Sequence, residues 1–392
     1  MSEKRGESAA REISALEEKL LGVQIFRIPE LVPGLLAAGI LGWLSIQLSG
    51  FIGIDLLQFE HSPISSVMMA ILLGLLARNL VALPTWLKPG FNFAVKKVLR
   101  LGIILLGIRL SIFDALRLGA LGVPIVLFCL LGALFLTTRL NKWLKLPERL
   151  GTLIAVGTSI CGVSAIVATG PAIDAEDEEV AYAVAVITIF GVFATLVYPY
   201  LAKLVFTGDP VKAGLFLGTS IHDTSQVTGA ALVFSEAFSL PRALEVATVT
   251  KLVRNVFMAV VIPFMALANN RRASAEGRSA GKQARFTKLL PLFVLGFIAL
   301  AGLRSIGDAG VNASGLAYGL WTKEGWQGLV GLLQTWAVNA LVLALAGVGL
   351  TTNLRTMRGL GIKPFLVGLG AALAVGVISF AAISLLGSFV TL

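Results

Sequence analysis

The sequence has few charged residues and few side chains that carry redox or metal chemistry. Of its 392 residues, 14% are charged and 56% hydrophobic, with two cysteines and two histidines. So few charges are not typical of a soluble domain. Cys129 and Cys161 both lie inside apolar segments, which excludes a disulfide-stapled secreted scaffold. Neither a Walker loop nor a metal-ligand pattern is present, so we expect no ATP hydrolysis, no metal and no cofactor.

Apolar stretches of about 20 residues, the length that a helix needs to cross a bilayer, recur from Ile28 onward. This pattern predicts an all-α polytopic membrane protein in which residues 1–27 form a cytoplasmic amphipathic N-terminus without a signal peptide. The eleven predicted spans are 29–49, 64–82, 98–114, 118–138, 150–170, 179–201, 213–232, 245–267, 287–304, 328–349 and 364–390.

The formal charge of +10 is distributed over alternate loops between the predicted spans. The positive-inside rule then predicts a cytoplasmic N-terminus, an external C-terminus and a location in the cell inner membrane. Under this topology the acidic run 174–179 is external and the polar segment 269–285 is a flexible cytoplasmic linker. We interpret the charge as a signal of topology, and we expect no nucleic-acid partner.

A block of five spans has an odd number of crossings, so its second copy has the opposite orientation in the membrane. We therefore predict an extra first helix with its outer loop in 28–63, and inverted five-helix repeats in 64–202 and 212–392, an arrangement common in secondary transporters. A short match supports the scheme, since Lys97-Val-Leu-Arg100 resembles Lys251-Leu-Val-Arg254 five spans later. Span five should break near Cys161-Gly162, and its partner, span ten, should break within 346–353.

A second match joins spans five and seven. Gly157-Thr-Ser-Ile160 with Ser164 recurs as Gly218-Thr-Ser-Ile221 with Ser225. Spans five and seven run in the same direction in the predicted topology, so they cannot be inverted partners. We interpret them as two interrupted helices that line a polar cavity; a chance match and a packing seam of small residues remain alternatives.

Ionisable residues at membrane depth are the main candidates for function. An Asp in a span costs about 2.5 kcal/mol on insertion scales, so His222 and Asp223 in span seven should face a cavity or a partner. In span eight, Thr248, Lys251, Arg254 and Asn255 form one polar stripe, in which a cation pairs with Asp223 or with an anionic substrate. A structural role for these residues stays open. Arg109, near the end of span three, either extends its charge to the membrane surface or has a functional role.

The candidate substrate-binding residues are the polar and glycine residues of these segments: Thr158, Ser159, Cys161, Gly162, Ser164, Thr219, Ser220, His222, Asp223, Thr224, Ser225, Gln226, Lys251, Arg254, Asn255, Thr351 and Thr352. Because imidazole titrates near physiological pH, His222 with Asp223 is the candidate for proton coupling. We expect Arg254→Gln to abolish anion binding without unfolding the protein.

The motifs of spans five, seven and eight, in this order and spacing, resemble the YeiH-like sulfate exporter family of bacterial inner-membrane proteins. The resemblance extends from about Ile28 to the end of the chain. It implies kinship with cation:proton antiporters and bile-acid-type symporters, with a core domain of crossing discontinuous helices and a panel domain. It also implies transport of sulfate or a sulfonate.

We therefore expect a secondary transporter that exports a small oxyanion or organosulfonate by alternating access. The alternative is a cation/proton antiporter centred on Asp223 and His222. An intramembrane enzyme is a third hypothesis. It is disfavoured because span seven offers a single Asp, whereas an aspartyl protease needs two carboxylates. The expected partners are a small anionic solute, protons or sodium as coupling ion, the lipid bilayer and a second copy of the chain in a homodimer.

Overall fold

The computed structural model describes residues 28–56, 65–275, 292–354 and 362–390. The predicted N-terminal segment 1–27 lies outside this part of the chain. Seven helical segments of the described residues are long and apolar enough to cross a membrane, and one of them, Arg242–Ala268, covers two consecutive helices. The all-α polytopic membrane fold is thereby confirmed.

The helices are α1 (Ile28–Gly50), α2 (Ser66–Leu80), α3 (Lys88–Phe93), α4 (Leu99–Leu106), α5 (Ile112–Trp143), α6 (Glu148–Ser159), α7 (Val163–Thr169), α8 (Asp177–Val205), α9 (Pro210–Ser220), α10 (Thr224–Phe238), α11 (Arg242–Val256), α12 (Met258–Ala275), α13 (Leu292–Ser314), α14 (Lys323–Thr351) and α15 (Ile362–Leu386). A π-helical turn, Ala94–Val98, joins α3 to α4, and another, Phe51–Leu56, extends α1. Two short antiparallel strands, β1 (Leu316–Ala317) and β2 (Trp321–Thr322), connect α13 to α14.

The helices pack as two bundles. The scaffold bundle contains α1 to α4, α13 and α14, and the core bundle contains α5 to α12 and α15. The bundles meet where α10 packs against α2 and α14, and where α13 packs against α5. At the first of these contacts, one Glu236 carboxylate oxygen accepts hydrogen bonds from the Ser65 hydroxyl at 2.8 Å and from the Ser66 amide and hydroxyl at 2.9 Å each.

Span five is a re-entrant hairpin, which we call hairpin 1 and which consists of α6 and α7. Arg149 at its start and Asp174 after its end form an ion pair of 3.5 Å, so both lie on one face of the protein, the first face. A Cβ atom added to Gly157 would lie 2.7 Å from the Ile166 side chain, which shows that α7 folds back along α6. The chain therefore enters from the first face, turns at 160–162 and returns.

Span seven folds in the same manner, as hairpin 2, consisting of α9 and α10. Helix α9 runs parallel to α11, since Gly214 packs against Val246 and Gly218 packs against Thr250. Leu240, which follows α10, lies beside Gly208, which precedes α9. Hairpin 2 therefore enters from the opposite, second face, and α8 connects the two faces.

The two hairpins correct the predicted topology. Because spans five and seven return to the face from which they enter, α8 runs opposite to the predicted span six. The acidic run 174–179 consequently lies on the same face as Lys142, and Lys203 lies on the other. The prediction from the positive-inside rule was wrong for these loops, because two of the apolar segments are hairpins and not complete crossings.

The break predicted in span ten is absent, because α14 is continuous to Thr351. Its glycines are packing positions: a Cβ on Gly349 would lie 2.9 Å from the Cα of Gly74 in α2, so the backbones of the two helices touch. The pairing of span five with span ten as inverted copies was therefore wrong. The hairpins, which carry the matching Gly-Thr-Ser-Ile segments, enter from opposite faces and run antiparallel in space. The division into units at 64–202 and 212–392 stays a prediction.

The polar segment 269–285 is helical in its first part, because α12 extends to Ala275. The prediction that this part is a flexible linker was therefore wrong. The rest of the segment lies outside the described residues.

Candidate functional site at the hairpin tips

The tips of the two hairpins meet inside the core bundle. Gly162 adopts a φ of +70°, a conformation that L side chains rarely adopt, and this allows the turn of hairpin 1. A Cβ atom on Gly162 would lie 3.1 Å from the Cα of Asp223 in the tip of hairpin 2. The break predicted at Cys161-Gly162 is confirmed, and a second break lies between Ser220 and Thr224.

Hydroxyl side chains at the ends of α6 and α9 favour both helix breaks. The Ser159 hydroxyl donates to the Ala155 carbonyl at 2.6 Å, and the Ser220 hydroxyl donates to the Phe216 carbonyl at 2.6 Å. Such bonds compete with the helical ladder and favour its end. Asp223 then caps α10 by accepting a hydrogen bond from the Ser225 amide at 2.9 Å.

Arg254 of α11 joins the ends of α6 and α9. Its Nε donates to the Ser159 carbonyl at 2.8 Å, and its Nη1 donates to the Thr219 carbonyl at 2.7 Å and the Ile221 carbonyl at 3.1 Å. Its Nη2 donates to the Thr158 carbonyl. The last carbonyls of a helix lack intrahelical partners and carry partial negative charge, so a cation stabilises them. Arg254 has 1% of its surface exposed, and it links the two hairpins from this buried position.

Lys251 lies one turn earlier on α11 and is equally buried. Its Nζ donates to the Ile160 carbonyl at 3.0 Å, the Ile221 carbonyl at 3.1 Å and the His222 carbonyl. None of the ion pairs among the described residues involves Lys251 or Arg254. The predicted pairing of these cations with Asp223 is replaced by bonds to backbone carbonyls.

A patch of polar side chains beside the tips reaches the surface. Ser164 is exposed, and Asp223 and Thr224 are partly exposed, whereas Asn255 is buried and donates from Nδ2 to the Thr224 hydroxyl at 3.2 Å. The Ser225 hydroxyl donates to the Asp223 carboxylate at 2.6 Å. This accessible patch adjoins the buried cations, because Asp223 directly follows His222, whose carbonyl accepts a hydrogen bond from Lys251.

Three buried polar atoms at the tips have no hydrogen-bond partner among the described residues: Thr158 Oγ1, His222 Nδ1 and Asn255 Oδ1. Buried polar groups in proteins are nearly always satisfied, so each of these atoms calls for a partner such as water or solute. The predicted role of His222 and Asp223 in coupling stays a prediction. Of the two side chains, Asp223 is the one with access to the surface.

The remaining tip residues support the site. The Gln226 amide accepts from the Asp223 backbone amide at 3.1 Å and donates to the Thr188 carbonyl at 3.1 Å, which anchors hairpin 2 to α8. The Thr219 hydroxyl donates to the Leu215 carbonyl of its own helix at 2.7 Å. The Cys161 thiol lies 3.5 Å from the sulfur of Met258.

Thr351 and Thr352 do not belong to this site. Their hydroxyls donate to the Gly347 carbonyl at 2.9 Å and the Val348 carbonyl at 2.7 Å, within the end of α14. The Thr352 carbonyl accepts from Asn79 of α2 at 3.1 Å, which places this end in the scaffold bundle. The sequence interpretation failed here because it assigned a break to a helix end that packs closely.

Sequence reasoning missed Thr250 and Met258. The Thr250 hydroxyl is buried and has no partner in the part of the chain that the structure describes, and its side chain packs on Gly218 of α9. Met258 lines the tip of hairpin 1 beside Cys161. Thr250 directly precedes Lys251, so a search for hydroxyls beside buried cations could have found it. Arg109 interacts electrostatically with Glu245 at the start of α11, away from the tips.

These features define a polytopic membrane protein whose core carries two opposed re-entrant hairpins around buried cations. Residues 33–368 match the family described as conserved hypothetical protein 698, and the chain belongs to this family. It is 31% identical to a UPF0324 membrane protein of Bacillus cereus over 82% of this chain and 87% of the relative. A UPF0324 membrane protein of Corynebacterium glutamicum is 33% identical over 82% of this chain and 85% of the relative. No solved structure matches the chain.

Proposed function

We propose that this protein is a secondary transporter that exports a small oxyanion or organosulfonate by alternating access. The observation that carries the proposal is the pair of fully buried cations, Lys251 and Arg254, at the point where two hairpins from opposite faces meet. A solute that reaches the tips from either face encounters the same charges. Re-entrant, interrupted helices at mid-depth are a common way in which transporters build such a site.

The charges favour an anion. Lys251 and Arg254 contribute two positive charges and Asp223 one negative charge, while the partial charges of the helix ends that meet at each tip are opposite in sign. The site therefore retains a net positive charge in a low-dielectric surrounding, where charge interactions are strong. Donors for an oxyanion are available from the Ser164 and Thr224 hydroxyls of the accessible patch.

The two bundles provide the moving parts of the proposed mechanism. The hairpins and both cations belong to the core bundle, and α10 of hairpin 2 packs on α2 and α14 of the scaffold bundle. Movement of the core bundle against the scaffold would open the tips to one face at a time. The proposal includes no catalytic step.

Flux in proteoliposomes tests the proposal. Labelled sulfate, sulfite, taurine and sulfoacetate are compared under proton and sodium gradients. Asn255→Asp places a carboxylate beside Thr224 with little change in volume, so we expect it to reduce anion flux at least tenfold. Asn79→Asp, in the scaffold bundle, is the matched control and should keep most of the flux.

Cation/proton antiport is the second candidate, and the partial exposure of Asp223 favours it. This alternative predicts sodium-driven proton movement without anion flux. It also predicts that Asn255→Asp preserves or increases cation exchange, because a second carboxylate attracts cations. No flux of any tested anion, together with coupled proton movement, would reject the first candidate in favour of the second.

A further inference from the structure

The carbonyl groups around Lys251 form a cage of the kind that holds a monovalent cation. Ile160 of hairpin 1 contributes one oxygen at 3.0 Å from Nζ, and hairpin 2 contributes the carbonyls of Ile221, at 3.1 Å, and His222. All three are backbone oxygens. Rings of backbone carbonyls replace the hydration shell of alkali cations in selective sites of membrane proteins.

The cage exists because both hairpins turn at this point. Ile160 and Ile221 follow the last residues of α6 and α9, so their carbonyls have no partner within a helix. A buried carbonyl without a partner is destabilising, and several that point at one place repel one another. A positive charge is therefore required there, and the chain supplies it from Lys251, 1% of whose surface is exposed.

We propose that the Lys251 ammonium is a tethered occupant of a monovalent-cation site, so that the hairpin tips hold together without a bound alkali ion. Removal of the ammonium vacates the cage and creates a site for potassium or sodium. The guanidinium of Arg254 shares the Ile221 carbonyl with Lys251, and the structure accommodates both charges. An alkali ion carries the same charge as the ammonium that it replaces.

The inference goes beyond the proposed function, because it holds whichever solute the tips carry. Since the cage is filled, sodium does not occupy this position in the wild-type protein. A coupling ion, where one is used, must bind elsewhere or be a proton.

Thermal unfolding of the purified protein in detergent tests the inference. Lys251→Met keeps most of the aliphatic stem and lacks the ammonium. The unfolding midpoint is measured while potassium or sodium chloride replaces choline chloride at constant ionic strength. We expect the midpoint of Lys251→Met to rise saturably with potassium or sodium, by about 2 °C or more beyond any change in the wild type. Lys142→Met, an exposed position at the end of α5, is the matched control and should not respond.

A folded Lys251→Met variant that ignores potassium and sodium would overturn the inference. A variant that folds only in an alkali salt would support it. If the variant folds in neither potassium nor sodium chloride, an alkali ion does not replace the ammonium, and the inference is overturned. None of these outcomes depends on anion flux, so failure of the proposed function is recognised separately.

Discussion

Arg254 illustrates how a residue that the sequence marks as a ligand can have a structural task. Its guanidinium reaches the last carbonyls of α6 and α9, which belong to hairpins from opposite faces. From sequence alone, Arg254→Gln was expected to abolish anion binding and leave the protein folded. The contacts change that expectation, because the substitution also leaves buried carbonyls without donors.

We predict that Arg254→Gln lowers the free energy of unfolding by about 3–5 kcal/mol, because several of the carbonyls that Arg254 bonds stay buried without a donor, at about 1–3 kcal/mol each. The measurement is thermal or denaturant unfolding without substrate. Arg242→Gln on the same helix is the control, since its ion pair with Glu245 is at the helix start and 34% of the Arg242 side chain is exposed. Equal stability of the two variants, with anion affinity lost only in Arg254→Gln, would restore the ligand role.

At the scale of elements, the two hairpins determine the topology. Each is closed by contacts at its base: Arg149 with Asp174 in hairpin 1, and Gly208 with Leu240 in hairpin 2. A hairpin and a crossing helix of the same hydrophobicity look alike in a sequence. They differ in which loops share a face, and this difference can be measured.

We predict that Lys145→Cys and Glu178→Cys react with a membrane-impermeant maleimide from the same side of the membrane, and that Thr207→Cys reacts from the other side. All three positions are exposed, and Cys129 and Cys161 are buried, so the native cysteines should stay unlabelled. Labelling in sealed vesicles of known orientation gives the result. Eleven complete crossings would instead place positions 145 and 207 together and position 178 opposite to both.

At the scale of the whole molecule, the contact between bundles is small beside the packing within each bundle, which suits movement of one against the other. Glu236 of hairpin 2 makes three hydrogen bonds to Ser65 and Ser66 at the start of α2. This contact joins the proposed moving part to the proposed stationary part on the second face.

We predict that a short, reducible cross-link between cysteines in Ser66→Cys/Glu236→Cys stops anion flux and that reduction restores it, because the link prevents the bundles from moving apart. The measurement is flux in proteoliposomes before and after reduction. The matched pair Arg149→Cys/Asp174→Cys lies at the base of hairpin 1, wholly within the core bundle, so its cross-link should leave flux largely unchanged. Full flux in the first cross-linked pair would contradict movement at this contact.

The sequence by itself determined the membrane class, the apolar segments and most of the residues that meet at the hairpin tips. These follow from local chemistry: apolar length predicts helices in lipid, Gly162 predicts a break, and buried charges such as Lys251 and Arg254 predict a common site. The match between Gly157-Thr-Ser-Ile160 and Gly218-Thr-Ser-Ile221 was likewise visible, although its meaning was not.

Only the tertiary structure decided that spans five and seven turn back, that α14 is unbroken and that the two cations bind carbonyls. The direction that the chain takes after a helix break depends on what the helix beyond the break packs against, as Ile166 packs against Gly157. The hydrophobicity of that helix is the same whether it continues across the membrane or turns back. The partners of Lys251 and Arg254 are backbone atoms, which every residue possesses, so no side-chain pattern could identify them.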